Sequence, residues 1–147
     1  MRVLLDTNII IDVLQNREPW CVSGKEIFLS VARKEYSGCI TAKESADIHF
    51  FAKKQFKGEE NVDDKARQIL IKLFSLFEVL DTTEADCKNA LSFPNNDYED
   101  AIMIETALRS GVKCIITRNT EHFSESPVKV YTPEEFVEVM GKNISSE

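Results

Sequence analysis

Asp6 stands where a short apolar run, Val3-Leu4-Leu5, gives way to the polar pair Thr7-Asn8, with a second apolar run, Ile9-Ile10-Ile11, just beyond. Polar and acidic residues recur in similar settings. Thr41-Ala42-Lys43-Glu44 follows Cys39-Ile40, Asn96-Asp97-Tyr98-Glu99-Asp100 leads into Ala101-Ile102-Met103-Ile104, and Thr117-Arg118-Asn119 follows Cys114-Ile115-Ile116. If these carboxylates converge they repel one another. At ~4 Å each pair costs on the order of a few kcal/mol at an effective dielectric of about 20. A hard divalent cation relieves that cost, because Mg2+ and Mn2+ prefer oxygen ligands. A metal held by carboxylates, with water in its open positions, suits phosphodiester hydrolysis. No serine, cysteine or histidine nucleophile is needed.

Convergence depends on the elements that carry these residues. Strands are expected at 2–5, 39–41, 77–80, 114–117 and 128–131, where β-branched and other apolar residues cluster. Helical periodicity follows Asp6 and recurs over 20–35, 42–55, 63–74, 84–93, 98–110 and 133–140. Strands alternating with helices imply parallel pairing and an α/β sandwich. In a parallel sheet all strand-to-helix junctions lie on one edge, the edge that binds ligands. Acids far apart in sequence can therefore meet there. Taken singly, each has a plainer explanation. Thr41-x-x-Glu44 and Thr83-x-x-Asp86 have the form of capping boxes, Asp97-x-x-Asp100 that of an N-cap with an acid at N3, and Thr132-Pro133-Glu134-Glu135 that of a box with Pro at N1. Helix dipoles favour such first-turn acids regardless of function.

Composition narrows the classes. The 147 residues, 43% of them hydrophobic, fit one globular domain, expected over 1–142 with a flexible tail over 143–147. No apolar stretch reaches the length of a membrane span, and Asp6 and Asp12 interrupt the apolar run that a signal peptide needs, so a cytoplasmic location is expected. The four cysteines, 21, 39, 87 and 114, are scattered without a CxxC pair, which points to reduced, buried thiols. His49 and His122 lack zinc-ligand spacing. A net charge of −7 argues against nucleic-acid binding by bulk charge, though not against a nuclease whose acidic pocket recruits cations.

With the residues in view, the sequence resembles the PIN domain family in four ordered segments: Val3 to Asp12, Ile40 to Glu44, Asp97 to Ala101, and Ile115 to Phe123 followed by Thr132 to Phe136. The resemblance implies a three-layer α/β/α fold around a central parallel sheet and a Mg2+- or Mn2+-dependent ribonuclease. It is similar to small bacterial toxins of the VapC type, which implies an RNA substrate, an antitoxin protein partner and a homodimer. Carried over, Asp6, Glu44 and Asp100 are metal ligands, Asp97 a further catalytic acid, and Thr7, Asn8, Thr117 and Asn119 supporting groups. The family often has acids where this chain has Asn119 and His122. Asn119 offers a carbonyl oxygen without charge, so one tightly held metal, or metal bound together with RNA phosphate, is implied. The alternative is a PIN-like domain with weakened catalysis that serves as an RNA-processing or protein-interaction module. A phosphotransferase with an aspartyl nucleophile fits poorly, since position 8 is Asn and no glycine-rich phosphate loop exists.

Other residues carry two readings each. Arg118 and Lys43 are possible RNA contacts or solvated cations. Lys53, Lys54 and Lys57 either flank an RNA path or form a solvated face. His122 reads more readily as a surface residue than as an acid/base group. Phe50, Phe51, Phe56, Phe74 and Phe77 read mainly as core, with an exposed one marking a partner surface.

Overall fold

The computed structural model describes residues 1–145, with side chains as far as Lys142. The chain runs β1 (Arg2–Leu5), α1 (Thr7–Leu14), α2 (Cys21–Ala32), β2 (Ser37–Thr41), α3 (Ala42–Gln55), α4 (Val62–Leu76), β3 (Glu78–Leu80), α5 (Glu84–Ala90), α6 (Tyr98–Ser110), β4 (Cys114–Ile116), a 3-10 turn (Thr120–Phe123), β5 (Lys129–Tyr131) and α7 (Pro133–Ser145). Helix α5 stops at Ala90, short of the expected Phe93, because the N–H groups of Leu91, Ser92 and Phe93 donate three residues back, to Lys88, Asn89 and Ala90 O, in a tightened last turn. Helix α7 runs beyond Met140 to Ser145, into the segment expected as a tail; Ser146 and Glu147 lie outside the described residues.

The five strands form one parallel sheet in the order β3-β2-β1-β4-β5. Strands β1 to β3 step one way, then the chain crosses over so that β4 lands on the other side of β1. The crevice beyond the carboxyl ends of β1 and β4 is thus a topological switch point, where open α/β sheets bind ligands.

Strand alternation splits the core into two layers. Val3, Leu5, Ile40, Cys114 and Ile116 pack with Ile9 and Ile10 of α1, Ile27 and Val31 of α2, Ile48 of α3, Leu73 of α4 and Phe136 of α7. Leu4, Cys39, Leu80 and Ile115 face the other way, against Met103, Ile104 and Ala107 of α6 and Phe123 of the 3-10 turn. Period-2 direction of strand side chains makes this division, and each fully buried Leu or Ile contributes about 1.5–3 kcal/mol. The result is the three-layer α/β/α sandwich. All four cysteines are free, with Cys87 alone partly exposed. Among the described residues no helix is long and apolar enough to cross a membrane.

Gly38 in β2 shows how close the layers come. A Cβ there would lie 2.7 Å from the Phe77 ring and 2.8 Å from Val31 Cγ2. Gly38→Ala is therefore expected to destabilise by about 1–3 kcal/mol through overpacking. Urea denaturation checks this; unchanged stability would mean that Phe77 can move aside freely.

Candidate active site

Asp6 is placed by the sheet itself. Its backbone N–H donates to Ile116 O (2.9 Å), tying the end of β1 to the end of β4. Its carboxylate caps α1, Oδ1 accepting from Thr7 N (2.7 Å), while Oδ2 accepts from the Thr117 hydroxyl (2.7 Å) and from Asn8 Nδ2 (3.4 Å). Thr117 is fully buried, so this bond is held away from water.

Glu44 completes the capping box of α3. Its Oε1 accepts from Thr41 N (2.9 Å), and its own N–H donates to Thr41 Oγ1 (3.2 Å). Oε2 accepts from Thr7 Oγ1 (3.2 Å), which couples α3 to α1. Asp97 caps α6 by accepting from Asp100 N (3.1 Å). No reciprocal bond takes the Asp100 side chain back to the cap; its Oδ2 instead lies 2.8 Å from His122 Nδ1.

These groups line one cleft of about 320 Å3. Asp6, Glu44, Asp97 and Asp100 all reach it, with Thr7, Asn8, Asn119 and His122. Lys43 stands on its wall, paired with Asp47 (2.8 Å) and Glu99 (3.2 Å). Capping and cleft lining are thus one arrangement: the helix N-termini that accept the acids as caps also aim them at a common space and soften their repulsion.

The repulsion that remains is visible in the proton affinities. Burial raises the Asp6 carboxyl above its ordinary value, with nearby Asp97 adding to the rise against the bonds from Thr117 and Thr7. Glu44, 1% exposed, is raised well above its ordinary value by burial and then by Asp6. Asp100 rises to about 6, through burial and then Asp6, against the pull of His122. His122 is raised in turn by its bond to Asp100.

Ligand atoms of Asp97, Asp100 and His122 all lie within 4.8 Å of one another. Asp6 and Glu44 face the same cleft from outside that tight group. The donors are mostly carboxylate oxygens, partly desolvated and mutually repelling, which is the chemistry of a hard-cation site. Glu44 fits least easily, since both its oxygens already accept hydrogen bonds.

Two residues differ from their sequence reading. His122 is not a free surface histidine: the 3-10 turn brings it onto Asp100. Its only sequence signal is the position one short turn beyond Thr117-Arg118-Asn119. Arg118 does not line the cleft. Its guanidinium holds buried Asp12 through Nε (2.6 Å) and Nη2 (3.2 Å), and stacks 4.6 Å from the Trp20 ring centroid. Arg17, not singled out from sequence, does line it, as does Phe51, which the sequence reads mainly as core.

The profile of the PIN domain family matches residues 2–121. The chain belongs to that family. No curated protein matches it. Its fold is similar to a toxin–antitoxin complex from Klebsiella pneumoniae, with 24% identity, a TM-score of 0.63, and coverage of 89% of this chain and 97% of that one. FitAcB from Neisseria gonorrhoeae is similar at 19% identity and a TM-score of 0.69, covering 90% and 98%. VapC20 of Mycobacterium tuberculosis, a sarcin–ricin loop cleaving toxin, is similar at 11% identity and a TM-score of 0.63, covering 86% and 95%.

Proposed function

We propose that the protein is a Mg2+- or Mn2+-dependent endoribonuclease that hydrolyses RNA phosphodiester bonds and serves as the toxin of a toxin–antitoxin pair. The observation that carries the reading is the convergence of Asp6, Glu44, Asp97 and Asp100, from three separate strand or helix ends, on one cleft. Membership of the PIN domain family supports the nuclease chemistry, and fold neighbours that include a toxin–antitoxin complex and a sarcin–ricin loop cleaving toxin support the biological role.

Asp6, Asp100 and Glu44 would hold the cation, with Asp97 beside them. Bound there, such a cation would supply polarisation of a phosphoryl oxygen and activation of water for hydrolysis. The rest is positioning. Thr117 and Asn8 fix the Asp6 carboxylate, Thr7 fixes Glu44, and His122 turns Asp100 toward the cleft. Thr117 in turn accepts from Asn119 N (3.1 Å), so the turn after β4 is part of the same frame. Lys43 places a cation at the mouth, suited to substrate phosphate. An antitoxin partner, a homodimeric state and a cytoplasmic location complete the proposal.

The test is cleavage of RNA in Mg2+ or Mn2+ against the same protein in EDTA, with metal binding followed by calorimetry. Cleavage confined to the metal-containing reactions is expected. No cleavage with either metal would overturn the reading. A second reading, a PIN domain with weakened catalysis acting as a binding module, is favoured by uncharged Asn119 on the cleft wall. No metal binding even in the presence of RNA would decide for it.

A further inference from the structure

The cleft does not end at the acids. Its wall includes Arg17 and Phe51, which also line a second hollow with Lys54. Lys54 in turn belongs to a third hollow with Phe50, Lys53 and Lys57. The three hollows thus share walls, and together they follow α3 from its first turn to just past its end. Lys43 and Lys54, on the same helix, are separated by roughly 16 Å of axial rise.

The path gathers three lysines around one aromatic ring in a chain of net charge −7. Among the described residues no carboxylate lies within 4.0 Å of the ammonium of Lys53, Lys54 or Lys57, whereas Lys43, Lys65 and Lys88 each have at least one carboxylate partner. Lys25, Lys34, Lys72, Lys113 and Lys129 also lack one, but Lys53, Lys54 and Lys57 share a single hollow with Phe50. Lys54 Nζ instead sits 4.4 Å from the ring centroid of Phe50, which is 55% exposed. The helix C-terminus favours cations in its last turn and explains some of the lysines. It explains neither an aromatic ring left open among them nor their continuity with the acidic cleft. An exposed ring bordered by unneutralised ammonium groups matches a single nucleic-acid strand, whose bases stack and whose phosphates need neutralising.

We infer that the path Lys43–Phe51–Lys54–Phe50–Lys57 is the track on which single-stranded RNA lies as it leaves the cleft, with Phe50 as a base-stacking platform and Lys53, Lys54 and Lys57 as phosphate contacts. The inference rests on the ribonuclease reading. It places strand recognition on α3, outside the acids that would do the chemistry.

The test is fluorescence anisotropy with a fluorescein-labelled single-stranded RNA oligonucleotide of mixed sequence, in Mg2+. The full-length Asp6→Asn protein serves as the binding-competent parent that does not cleave. Adding Lys53→Gln, Lys54→Gln and Lys57→Gln together should weaken binding at least about tenfold at low salt. It should also reduce the slope of log affinity against log salt by about 2, at about 0.7 per phosphate contact. Adding Phe50→Ala instead should weaken binding by about tenfold with the slope unchanged, since a stacked base carries no charge. These side chains are exposed, so circular dichroism should show both variants folded. A triple-lysine variant with the parent's affinity and slope would overturn the track and leave this face to a protein partner, as would absence of measurable binding by the parent. Failure of the ribonuclease reading is seen separately, as absence of cleavage by the wild-type protein.

Discussion

Asp6→Asn should lower RNA cleavage by at least about 100-fold while leaving the protein as stable as the wild type or more so. The activity loss follows from the position of Asp6 at the switch point between β1 and β4, facing the cleft. Groups that merely orient the ligands of a metal are already worth 10–100-fold, so loss of a charged ligand should cost about 100-fold or more. The stability expectation follows from the same burial. A carboxylate with raised proton affinity is one whose ionised form the fold disfavours. Asn is as good an N-cap as Asp, so the bond from Thr7 N survives. The Thr117 hydroxyl can accept from the new amide where it now donates to Oδ2. Cleavage assays and urea denaturation on one preparation test both halves. Activity equal to wild type would remove Asp6 from the reaction, and a large loss of stability would make it a structural residue first.

Asp86→Ala should have the opposite profile, costing on the order of 3 kcal/mol of stability. Asp86 is also the N3 acid of a capping box, but it lies outside the cleft. At 2% exposure it accepts from Thr83 N (3.0 Å), Thr106 Oγ1 (3.1 Å), and Arg109 Nε (2.9 Å) and Nη2 (3.0 Å). Arg109 also donates to Asp81 O (2.6 Å), so one carboxylate joins α5, α6 and the loop after β3. Removal leaves a fully buried threonine hydroxyl without its acceptor and a helix N-terminus without its acid. Burial alone would raise the Asp86 carboxyl, yet Arg109, Thr83 and Thr106 hold it below its ordinary value. A carboxyl whose folded-state pKa is depressed adds stability above its unfolded value of about 3.9. That contribution fades as pH falls through the lower folded value. The wild type should therefore lose more stability than Asp86→Ala on acidification from about pH 5 to below pH 4. Parallel denaturation curves for the two proteins across that range would show that the carboxylate carries no such role. The Arg109→Ala variant should cost less when added to Asp86→Ala than alone, because the two groups share one interaction.

Asp86 and Glu44 show where sequence reading reaches its limit. Both are the fourth residue of a Thr-x-x-acid box, and both caps form as that pattern requires. One is then claimed by an arginine from α6, the other turned into a cleft by Thr7 of α1. No local rule separates them, since the deciding partners are 23 and 37 residues away. His122 makes the same point from the other side. Its identity as a lone histidine in a polar loop gives no reason to pair it with Asp100. The 3-10 turn and its anchoring Phe123 carry it there. Arg118 was legible as a cation next to a supporting threonine. Its actual commitments, Asp12 and Trp20, come from packing of α1 and the α1–α2 turn against the turn after β4.

What the sequence determined by itself was everything that depends on local periodicity and chain order. Alternating strand and helix patterns imposed parallel pairing, and parallel pairing put every strand end that carries Asp6, Thr41 or Thr117 on one edge. Cap signals placed Asp97 at the N-cap of α6, and Glu44 and Asp100 in the first turns of their helices. Only the tertiary structure decided which of those acids share a space. That depends on the crossover that seats β4 beside β1, and on hydrogen bonds such as Thr117 to Asp6, between residues 111 apart. The physical reason is range. Caps and turns are settled within a few residues, whereas the repulsion that marks this cleft exists only once the sheet has brought its edges together.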